Sequence, residues 1–231
     1  RHLAVRLRAL LPHGRFEPVP GAPGGMRNIV GRLPGRAPAL LVGAHYDTKA
    51  LPGFVGANDA AAGTAAVIDL ARVLARDRRA CAREIRFVLF DGEESPSTSG
   101  LRGSRHHAAR HARGLGAAVI VDFIAGKGVR LPREAGSDAR LWHRLRVAAD
   151  RVGVGAIFPP ETVGEILDDH TPFARAGVPA IDLIDFSYPY WHRPGDDLSA
   201  VSARSLTAVG AALAYFLRSE ADRGCPAARG R

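Results

Sequence analysis

The sequence predicts an α/β protein with a largely parallel sheet and helices on both faces. Two observations lead to this prediction. Short apolar runs rich in Val, Ile, Leu and Phe alternate with longer segments of helical periodicity. The connections between them are short and often contain Gly or Pro, as in β–α–β units. The length of 231 residues suits one domain, 1–231, with a sizeable core.

The predicted elements follow in chain order. A short amphipathic helix at 3–11 precedes a Pro/Gly-rich stretch that ends at Gly25. The predicted strands are 28–33, 39–44, 85–90, 117–121 and 180–184. The predicted helices are 61–75, 104–111, 141–152, 171–177 and 202–217, the last capped by Ser202. Residues 219–231 are expected to form a mobile tail.

Composition excludes some classes of protein. No apolar run is long enough to span a bilayer, so no integral membrane segment is expected. The net charge of +9 would suit a nucleic-acid partner, but the arginines are scattered and no basic run alternates with aromatic residues. A solvated basic surface of bacterial-type composition, with no nucleic acid bound, is therefore expected.

The cellular compartment stays open at the level of sequence. Cys81 and Cys225 are able to pair, but two cysteines do not make a disulfide framework, and Cys225 lies in a polar tail. The chain begins at Arg1 without an initiator Met, which suggests that an N-terminal segment has been removed. A secreted or periplasmic location is favoured on that ground.

Acidic and imidazole side chains follow one predicted strand after another. Ligand crevices of open α/β sheets lie beyond the carboxyl ends of strands, so these side chains are expected to converge. Histidine and carboxylates without cysteine are zinc-binding chemistry. The motifs are His45-Tyr46-Asp47, Asn58-Asp59, Asp91-Gly92-Glu93-Glu94, Asp122, Asp168-Asp169-His170 and Trp191-His192.

Most of these motifs, taken alone, also have a purely structural explanation. His45 at a strand end could hydrogen-bond a nearby acid, or bind a metal while Asp47 orients it. Asp59 could be a helix N-cap. At least one of Asp168 and Asp169 is expected to be only a cap before the short helix.

Glu93 and Glu94 form the strongest single motif. Adjacent glutamates after a buried strand repel each other at low dielectric unless a cation compensates them. One would then be a metal ligand and the other a general acid/base beside it. Asp122, which closes an apolar strand, is also costly to bury without a partner. Jointly the motifs predict a carboxylate-rich zinc site with a glutamate next to it.

Four segments carry a resemblance to a known family. Gly43-Ala44-His45-Tyr46-Asp47, Gly56-Ala57-Asn58-Asp59, Phe90-Asp91-Gly92-Glu93-Glu94 and Gly103-Ser104-Arg105-His106 resemble the zinc aminopeptidase family that includes the glutaminyl-peptide cyclotransferases. Agreement in motif order and spacing runs from about Asn28 to Leu206. The resemblance implies a three-layer α/β/α sandwich with a mixed, mostly parallel central sheet.

The resemblance also implies roles for individual residues. Asp59, Glu94 and His192 match the zinc ligands that both branches of the family share. In two-zinc members Asp59 would bridge the ions, and the second would be held by His45 and Asp122. Glu93 matches the general acid/base. One Zn²⁺ is expected, and a second is possible.

Two positions favour the cyclase branch, which converts the N-terminal Gln of peptides or proteins to pyroglutamate and releases ammonia. Peptidases usually carry Ser where this chain has Asp168, and more often Tyr where it has Trp191. In this interpretation Glu93 transfers the proton, and Asp122 and Asp168 form a hydrogen-bonded acid pair around it. Trp191 makes the pocket wall apolar, so that water does not compete.

Some features depart from animal cyclases and leave alternatives open. Ala44 and about Ala62 stand where those proteins pair two cysteines, and the segment 95–100 is shorter and lacks a tryptophan. A one- or two-zinc aminopeptidase that hydrolyses N-terminal residues is the first alternative, because His45 and Asp122 provide a second site. A catalytically inactive relative used for binding is the second, although Glu93 and every candidate ligand are present.

Overall fold

The computed structural model describes residues 2–76, 78–95 and 100–226. The strands are β1 (Arg15–Pro18), β2 (Arg27–Leu33), β3 (Arg36–His45), β4 (Arg83–Phe90), β5 (Leu115–Val121), β6 (Arg133–Glu134), β7 (Thr162–Val163) and β8 (Ala180–Leu183). The helices are α1 (His2–Leu10), α2 (Gly63–Leu74), α3 (Arg102–His111), α4 (Ala139–Arg151), α5 (Thr171–Arg175) and α6 (Ala203–Asp222). Each predicted strand and helix therefore has a counterpart in the structure.

Six strands form one mixed sheet in the order β1-β2-β4-β3-β5-β8, while β6 and β7 form a separate parallel pair. β4, β3, β5 and β8 are neighbours and run parallel. β2 is antiparallel to β4, and β1 is antiparallel to β2. The carboxyl ends of the four parallel strands consequently lie side by side along one edge of the sheet.

Helices cover both faces of this sheet, which confirms the predicted three-layer α/β/α sandwich. Alternate residues of a strand point to opposite faces, and β3 shows this directly. Leu40 and Val42 pack into a core with residues of α1, α2, α4 and α6. Leu41 packs into a second core with Ala108 of α3 and Phe173 of α5. Both faces of β3 are buried, so its sequence is apolar at consecutive positions.

Part of the architecture was not predicted. Strand β1 lies within the stretch that was interpreted as irregular because of its Pro and Gly residues, and it pairs Glu17 with Asn28 of β2. The two-residue strands β6 and β7 were also missed. Strand β4 inserts between β2 and β3, so those consecutive strands are not neighbours.

The start of the predicted tail at Ser219 is wrong. Helix α6 continues to Asp222, and Ser202 caps its other end as predicted by accepting a hydrogen bond from the backbone N of Ser205. Near its C-terminus the buried carboxylate of Glu220 accepts a hydrogen bond from Arg144 Nε at 2.9 Å. The mobility of the tail remains a prediction, and residues 227–231 lie outside the described part of the chain.

The structure joins Cys81 and Cys225 in a disulfide bond, which the sequence had left undecided. Their Cα atoms are 5.5 Å apart, and 144 residues separate them in sequence. The bond therefore links the turn before β4 to the segment after α6.

Among the described residues, no helix combines the length and the apolar composition needed to cross a membrane.

Reduction of this disulfide should destabilise the protein. A cross-link that closes a long loop restricts the unfolded chain, and removing one costs typically about 2–4 kcal/mol of unfolding free energy. We expect reductant, or the double substitution Cys81→Ser/Cys225→Ser, to lower stability by this amount in urea denaturation. The double variant serves as the control, because reductant should leave its transition unchanged. Two titratable thiols in the unfolded, unreduced wild-type protein would contradict the prediction.

Candidate metal centre and the adjoining cavity

Side chains from the carboxyl end of β3 and from three loops converge on Asp59 at the carboxyl edge of the sheet. On one side lie Glu94, which follows β4, and His192, in the loop after β8; with Asp59 they form the Glu94 triad. On the other side lie His45, at the end of β3, and Asp122, after β5; with Asp59 they form the His45 triad. Within each triad the candidate ligand atoms all lie within 4.8 Å of one another. The structure thus brings together all five side chains predicted as ligands.

The Glu94 triad has the donor set and the charge that suit a cation. His192 Nε2 lies 2.7 Å from Glu94 Oε1 and 3.4 Å from Asp59 Oδ2. Asp59 Oδ2 is buried, and no group among the described residues hydrogen-bonds it. Lys49 Nζ lies 2.6 Å from Glu94 Oε2 and 3.3 Å from His192 Nε2. Two carboxylates and an imidazole with an unpartnered buried oxygen fit a zinc ion.

The His45 triad is buried, and its members hydrogen-bond one another. His45 Nε2 lies 3.2 Å from Asp59 Oδ1 and 3.4 Å from Asp122 Oδ1. Burial disfavours a charge on His45, but Asp122 beside it holds the histidine pKa well above its ordinary value. Burial raises the pKa of Asp122 to about 7, although His45 opposes this shift. Burial likewise raises the pKa of Asp59. These groups share protons and charge as a unit.

The interpretation of Asp59 as a helix N-cap is wrong. Asp59 lies inside the turn Ala57–Ala62 with a non-helical backbone, and its carboxylate caps neither this turn nor α2. Instead the backbone N–H groups of Asn58 and Asp59 donate to the carboxylate of Asp196, at 2.8 and 3.1 Å. Gly56 has a φ of 69°, and a Cβ there would come within 2.2 Å of the Asp59 carbonyl oxygen. The small residue is needed for this close approach.

Asp47 contacts His45 and also holds the loop that carries both glutamates. His45 Nδ1 hydrogen-bonds the backbone oxygen of Asp47 at 3.1 Å, whereas the Asp47 carboxylate lies 3.8 Å from that nitrogen. The carboxylate accepts hydrogen bonds from the backbone N–H groups of Glu93 and Glu94, at 3.3 and 3.1 Å. Asp47 therefore fixes the loop that carries both glutamates, and its main chain orients His45.

Asp196 is a site residue that the sequence reasoning missed. It is fully buried, and besides the two backbone groups near Asp59 it accepts a hydrogen bond from the Tyr188 hydroxyl at 2.7 Å. In sequence it lies in Pro194-Gly195-Asp196-Asp197, which has the composition of an exposed acidic turn. No local signal distinguishes Asp196 from Asp197, because only the folded chain brings it to Asp59.

A cavity of about 360 Å³ opens next to the Glu94 triad. Glu93 faces this cavity, as predicted for a proton-transfer group. Burial raises the pKa of Glu93 to about 10, with Asp168, Asp169 and Glu94 adding to the shift and His45 opposing it. Without a cation nearby, these surroundings therefore favour the protonated form of Glu93. The other polar residues of the lining include Lys49, Glu94, Asp122, Asp168 and His192, and the apolar ones Leu167, Ile184, Phe186 and Trp191.

Asp122 and Asp168 both line the cavity but do not form the predicted acid pair. Between these two described residues no hydrogen bond is formed. Asp122 Oδ1 accepts from the backbone N of Phe123 at 2.9 Å, and Asp168 Oδ1 accepts from the backbone N of Asp169 at 2.5 Å. Asp168 Oδ2 is buried, and Asp168 forms a group with His170 and Asp182 whose candidate ligand atoms lie within 4.8 Å of one another. Neither aspartate caps α5, whose N-cap is His170 without a side-chain hydrogen bond, so the expectation of a cap is wrong.

Trp191 forms an aromatic wall beside the ligands. Its ring stacks on the imidazole of His192, with centroids 4.5 Å apart and an interplanar angle of 29°. Phe186 packs against the indole at 5.2 Å, and Phe54 meets His192 edge-on at 6.2 Å. The indole remains 43% exposed. It thus fixes the orientation of His192 and gives the cavity an apolar surface that is accessible from outside.

The fold and the site together define a class of protein: a three-layer α/β protein with carboxylate and imidazole triads at the carboxyl edge of its sheet. Residues 28–217 match the sequence profile of peptidase family M28. The chain belongs to this family.

This chain is similar both to proteins named as glutaminyl cyclases and to a protein named as an aminopeptidase. It is 29% identical to the glutaminyl-peptide cyclotransferase-like protein of Bos taurus, over 86% of this chain and 61% of that protein. Its structure is similar to the glutaminyl cyclase of an Acidobacteriales bacterium, with a TM-score of 0.79 and 32% identity over 91% of this chain and 80% of the other. Aminopeptidase YwaD of Bacillus subtilis (strain 168) is 28% identical over 74% of this chain, which spans 38% of its length. The chain thus spans less than two thirds of these curated relatives.

The buried carboxyl group of Glu93 should make the metal-free protein less stable as the pH rises. Because its folded pKa is about 10 and the ordinary value is 4.5, the unfolded chain loses this proton first. The stabilisation by the protonated Glu93 carboxyl is complete when the pH is below its ordinary pKa of 4.5, and it is lost as the pH rises towards the folded pKa of about 10. We expect Glu93→Gln, which does not titrate, to remove this part of the decline in urea denaturation between about pH 5 and 9. Parallel pH profiles for the two metal-free proteins would contradict the assignment.

Proposed function

We propose that this protein is a zinc-dependent glutaminyl-peptide cyclotransferase that converts the N-terminal Gln of peptides to pyroglutamate with release of ammonia. The observation that carries the proposal is the cavity, in which Glu93 and Asp168 face the same space beside the Glu94 triad. The similarity to proteins named glutaminyl-peptide cyclotransferase and glutaminyl cyclase supports the same activity.

The proposed metal site consists of Asp59, Glu94 and His192, which would hold one Zn²⁺. When bound, zinc would act as a Lewis acid towards the γ-carboxamide oxygen of the substrate glutamine. The positive charge would also favour the ionised forms of the neighbouring acids, so that the pKa of Glu93 would fall from its metal-free value. Glu93 could then accept a proton at the pH at which the enzyme works.

Glu93 is proposed to transfer the proton during the reaction. The neutral α-amine of the substrate attacks its own γ-carboxamide carbon, and the carbon–nitrogen bond to the amide nitrogen breaks. Glu93 accepts the proton released by the amine and donates it to the departing nitrogen, which leaves as ammonia. The carboxylate of Glu93 is regenerated, and the net reaction consumes no water.

Asp168 and Asp122 are proposed to bind and orient the substrate amine around Glu93. Asp168 lines the cavity, and its carboxylate is suited to accept an N–H from the substrate. Asp122 also lines the cavity, and His45 Nε2 lies 3.4 Å from its Oδ1. The indole of Trp191 would cover the reacting carbon and keep water from competing with the amine.

A one- or two-zinc aminopeptidase is the second candidate. The observation that favours it is the His45 triad, whose three ligand atoms also lie within 4.8 Å of one another and which shares Asp59 with the Glu94 triad. A second ion there would provide the paired metals of a hydrolase, and water would replace the amine as the nucleophile. The similarity to aminopeptidase YwaD is consistent with this chemistry.

A secreted or periplasmic location is proposed together with this activity. The Cys81–Cys225 disulfide supports it, because such bonds persist in oxidising compartments. The partners proposed are peptide or protein N-termini. The charge of +9 is attributed to a solvated surface without a nucleic-acid partner.

The proposed reaction can be tested directly on a peptide that begins with Gln. Incubation with the zinc-loaded protein should convert it to a product lighter by one ammonia, detected by mass spectrometry. The matched control is the same peptide beginning with Leu, which should remain intact. Release of free glutamine or leucine would contradict the cyclase and establish the aminopeptidase. The absence of either reaction would favour an inactive binding protein.

Glu93→Gln should abolish most of the activity without loss of zinc. Removing a general acid/base lowers the rate about 10²–10⁴-fold. The amide has the same shape, and Glu93 is outside both triads, so zinc content should match that of the wild-type protein. The comparison variant is Glu94→Gln, which should lose zinc and activity together. Unchanged kcat in Glu93→Gln would exclude its role in proton transfer.

A further inference from the structure

A second group of potential metal ligands lies away from the cavity, between β1 and α3. His107 and His111 are one helical turn apart on α3, so their rings lie on the same face of the helix. Glu17 of β1 reaches both rings, with its Oε2 2.7 Å from His107 Nδ1 and its Oε1 2.7 Å from His111 Nε2. The ligand atoms of the three residues all lie within 4.8 Å of one another. We name this group the Glu17 cluster.

The surroundings hold the Glu17 cluster in place. Asn28 Nδ2 donates to Glu17 Oε2 at 2.9 Å and to the backbone oxygen of Gly103 at 3.0 Å. The ring of His107 packs against Phe90 and Phe173 at centroid distances of 6.1 and 6.2 Å. Its Nε2 is buried, and nothing in the described part of the chain hydrogen-bonds it, so Nδ1 is the ring nitrogen that faces Glu17. Such outer contacts orient ligands in metal sites.

The charge of the cluster favours a cation. Glu17 is only 5% exposed, and among the described residues no Lys or Arg forms an ion pair with it. A buried carboxylate flanked by imidazoles carries a negative charge that an ion between the three side chains would compensate.

The cluster is accessible from solvent. His111 keeps 26% of its side chain exposed and lines a cavity of about 450 Å³ together with His107. Three arginines line the same cavity. Arg86 is paired with Glu84 at 2.6 Å, and Arg15 and Arg32 are exposed, where water screens their charge. An ion could therefore reach the cluster, and a water molecule could complete its coordination from the cavity.

We propose that Glu17, His107 and His111 bind a zinc ion that links the edge strand β1 to α3. Two histidines and a glutamate are an established zinc donor set, with bonds of about 2.0–2.2 Å. In a tetrahedral arrangement such ligands lie about 3.3 Å apart, so the 2.7 Å contacts would open by about 0.6 Å. The site is independent of the proposed catalytic reaction.

The test compares zinc content and thermal stability in four proteins: the wild type, Glu17→Gln, His111→Ala and the matched control His106→Ala. His106 lies on the same helix but outside the cluster. After zinc loading and gel filtration, elemental analysis should find one zinc fewer per chain in Glu17→Gln and in His111→Ala. The control should equal the wild type. Added zinc should raise the melting temperature of the metal-depleted wild type and His106→Ala more than that of the two cluster variants.

The difference between variants isolates this site from the Glu94 triad, whatever number of ions that centre holds. Glu17→Gln keeps the size of the side chain, so it reports on the cluster even if His111→Ala folds poorly. Zinc-edge anomalous scattering should show a separate peak between Glu17 and His111. Equal zinc content in all four proteins, without such a peak, would overturn the proposal and leave the cluster as a hydrogen-bonded unit only.

Discussion

The rest of the site depends on one constraint, which is the burial of the Asp59 carboxylate at the point where the two triads meet. One oxygen faces His45 and the other faces His192, so this side chain belongs to both groups. A carboxylate in this position is costly because it has few hydrogen-bond donors and lies near Glu94 and Asp122. It is held there by backbone contacts to Asp196 rather than by the helix that follows. The protein therefore maintains a cation-binding geometry with contacts that do not themselves require a cation.

The order of the strands in the sheet brings the ligand side chains together. Because β4, β3, β5 and β8 are parallel neighbours, the residues that follow them emerge along one edge of the sheet within side-chain reach. A second level of order comes from Asp47, whose carboxylate connects the loop after β3 to the backbone of Glu93 and Glu94. The spacing between the proposed proton carrier and the metal ligands is thus fixed by the main chain. Substitutions at Asp47 would act on Glu93 and Glu94 together.

Sequence reasoning predicted the parts that depend on local pattern and missed the parts that depend on distant contacts. The apolar strands and the polar residues after them are visible in the sequence because strand ends and ligand chemistry are local features. Strand β1 was missed because its identity comes from pairing with β2, not from its composition. Asp196 and the extension of α6 beyond Ser219 were missed because both have polar sequences, and only packing buries Asp196 and Glu220. The cap interpretation of Asp59 failed because residue type cannot distinguish a carboxylate that caps a helix from one that faces away.

The choice between cyclase and peptidase chemistry reduces to the state of the His45 triad. A hydrolase with two ions needs His45 and Asp122 as ligands, with Asp122 ionised and a water molecule at the metals. A cyclase needs no second ion and no water molecule at the metal, because its nucleophile is part of the substrate and water is a competitor. A hydrogen bond between His45 and Asp122 in the buried triad meets that need, since it satisfies both side chains without an ion. The elevated pKa of Asp122, about 7, reflects how strongly burial disfavours its free charge. The same five side chains can thus serve either reaction, and the nature of the nucleophile decides whether a second ion is useful.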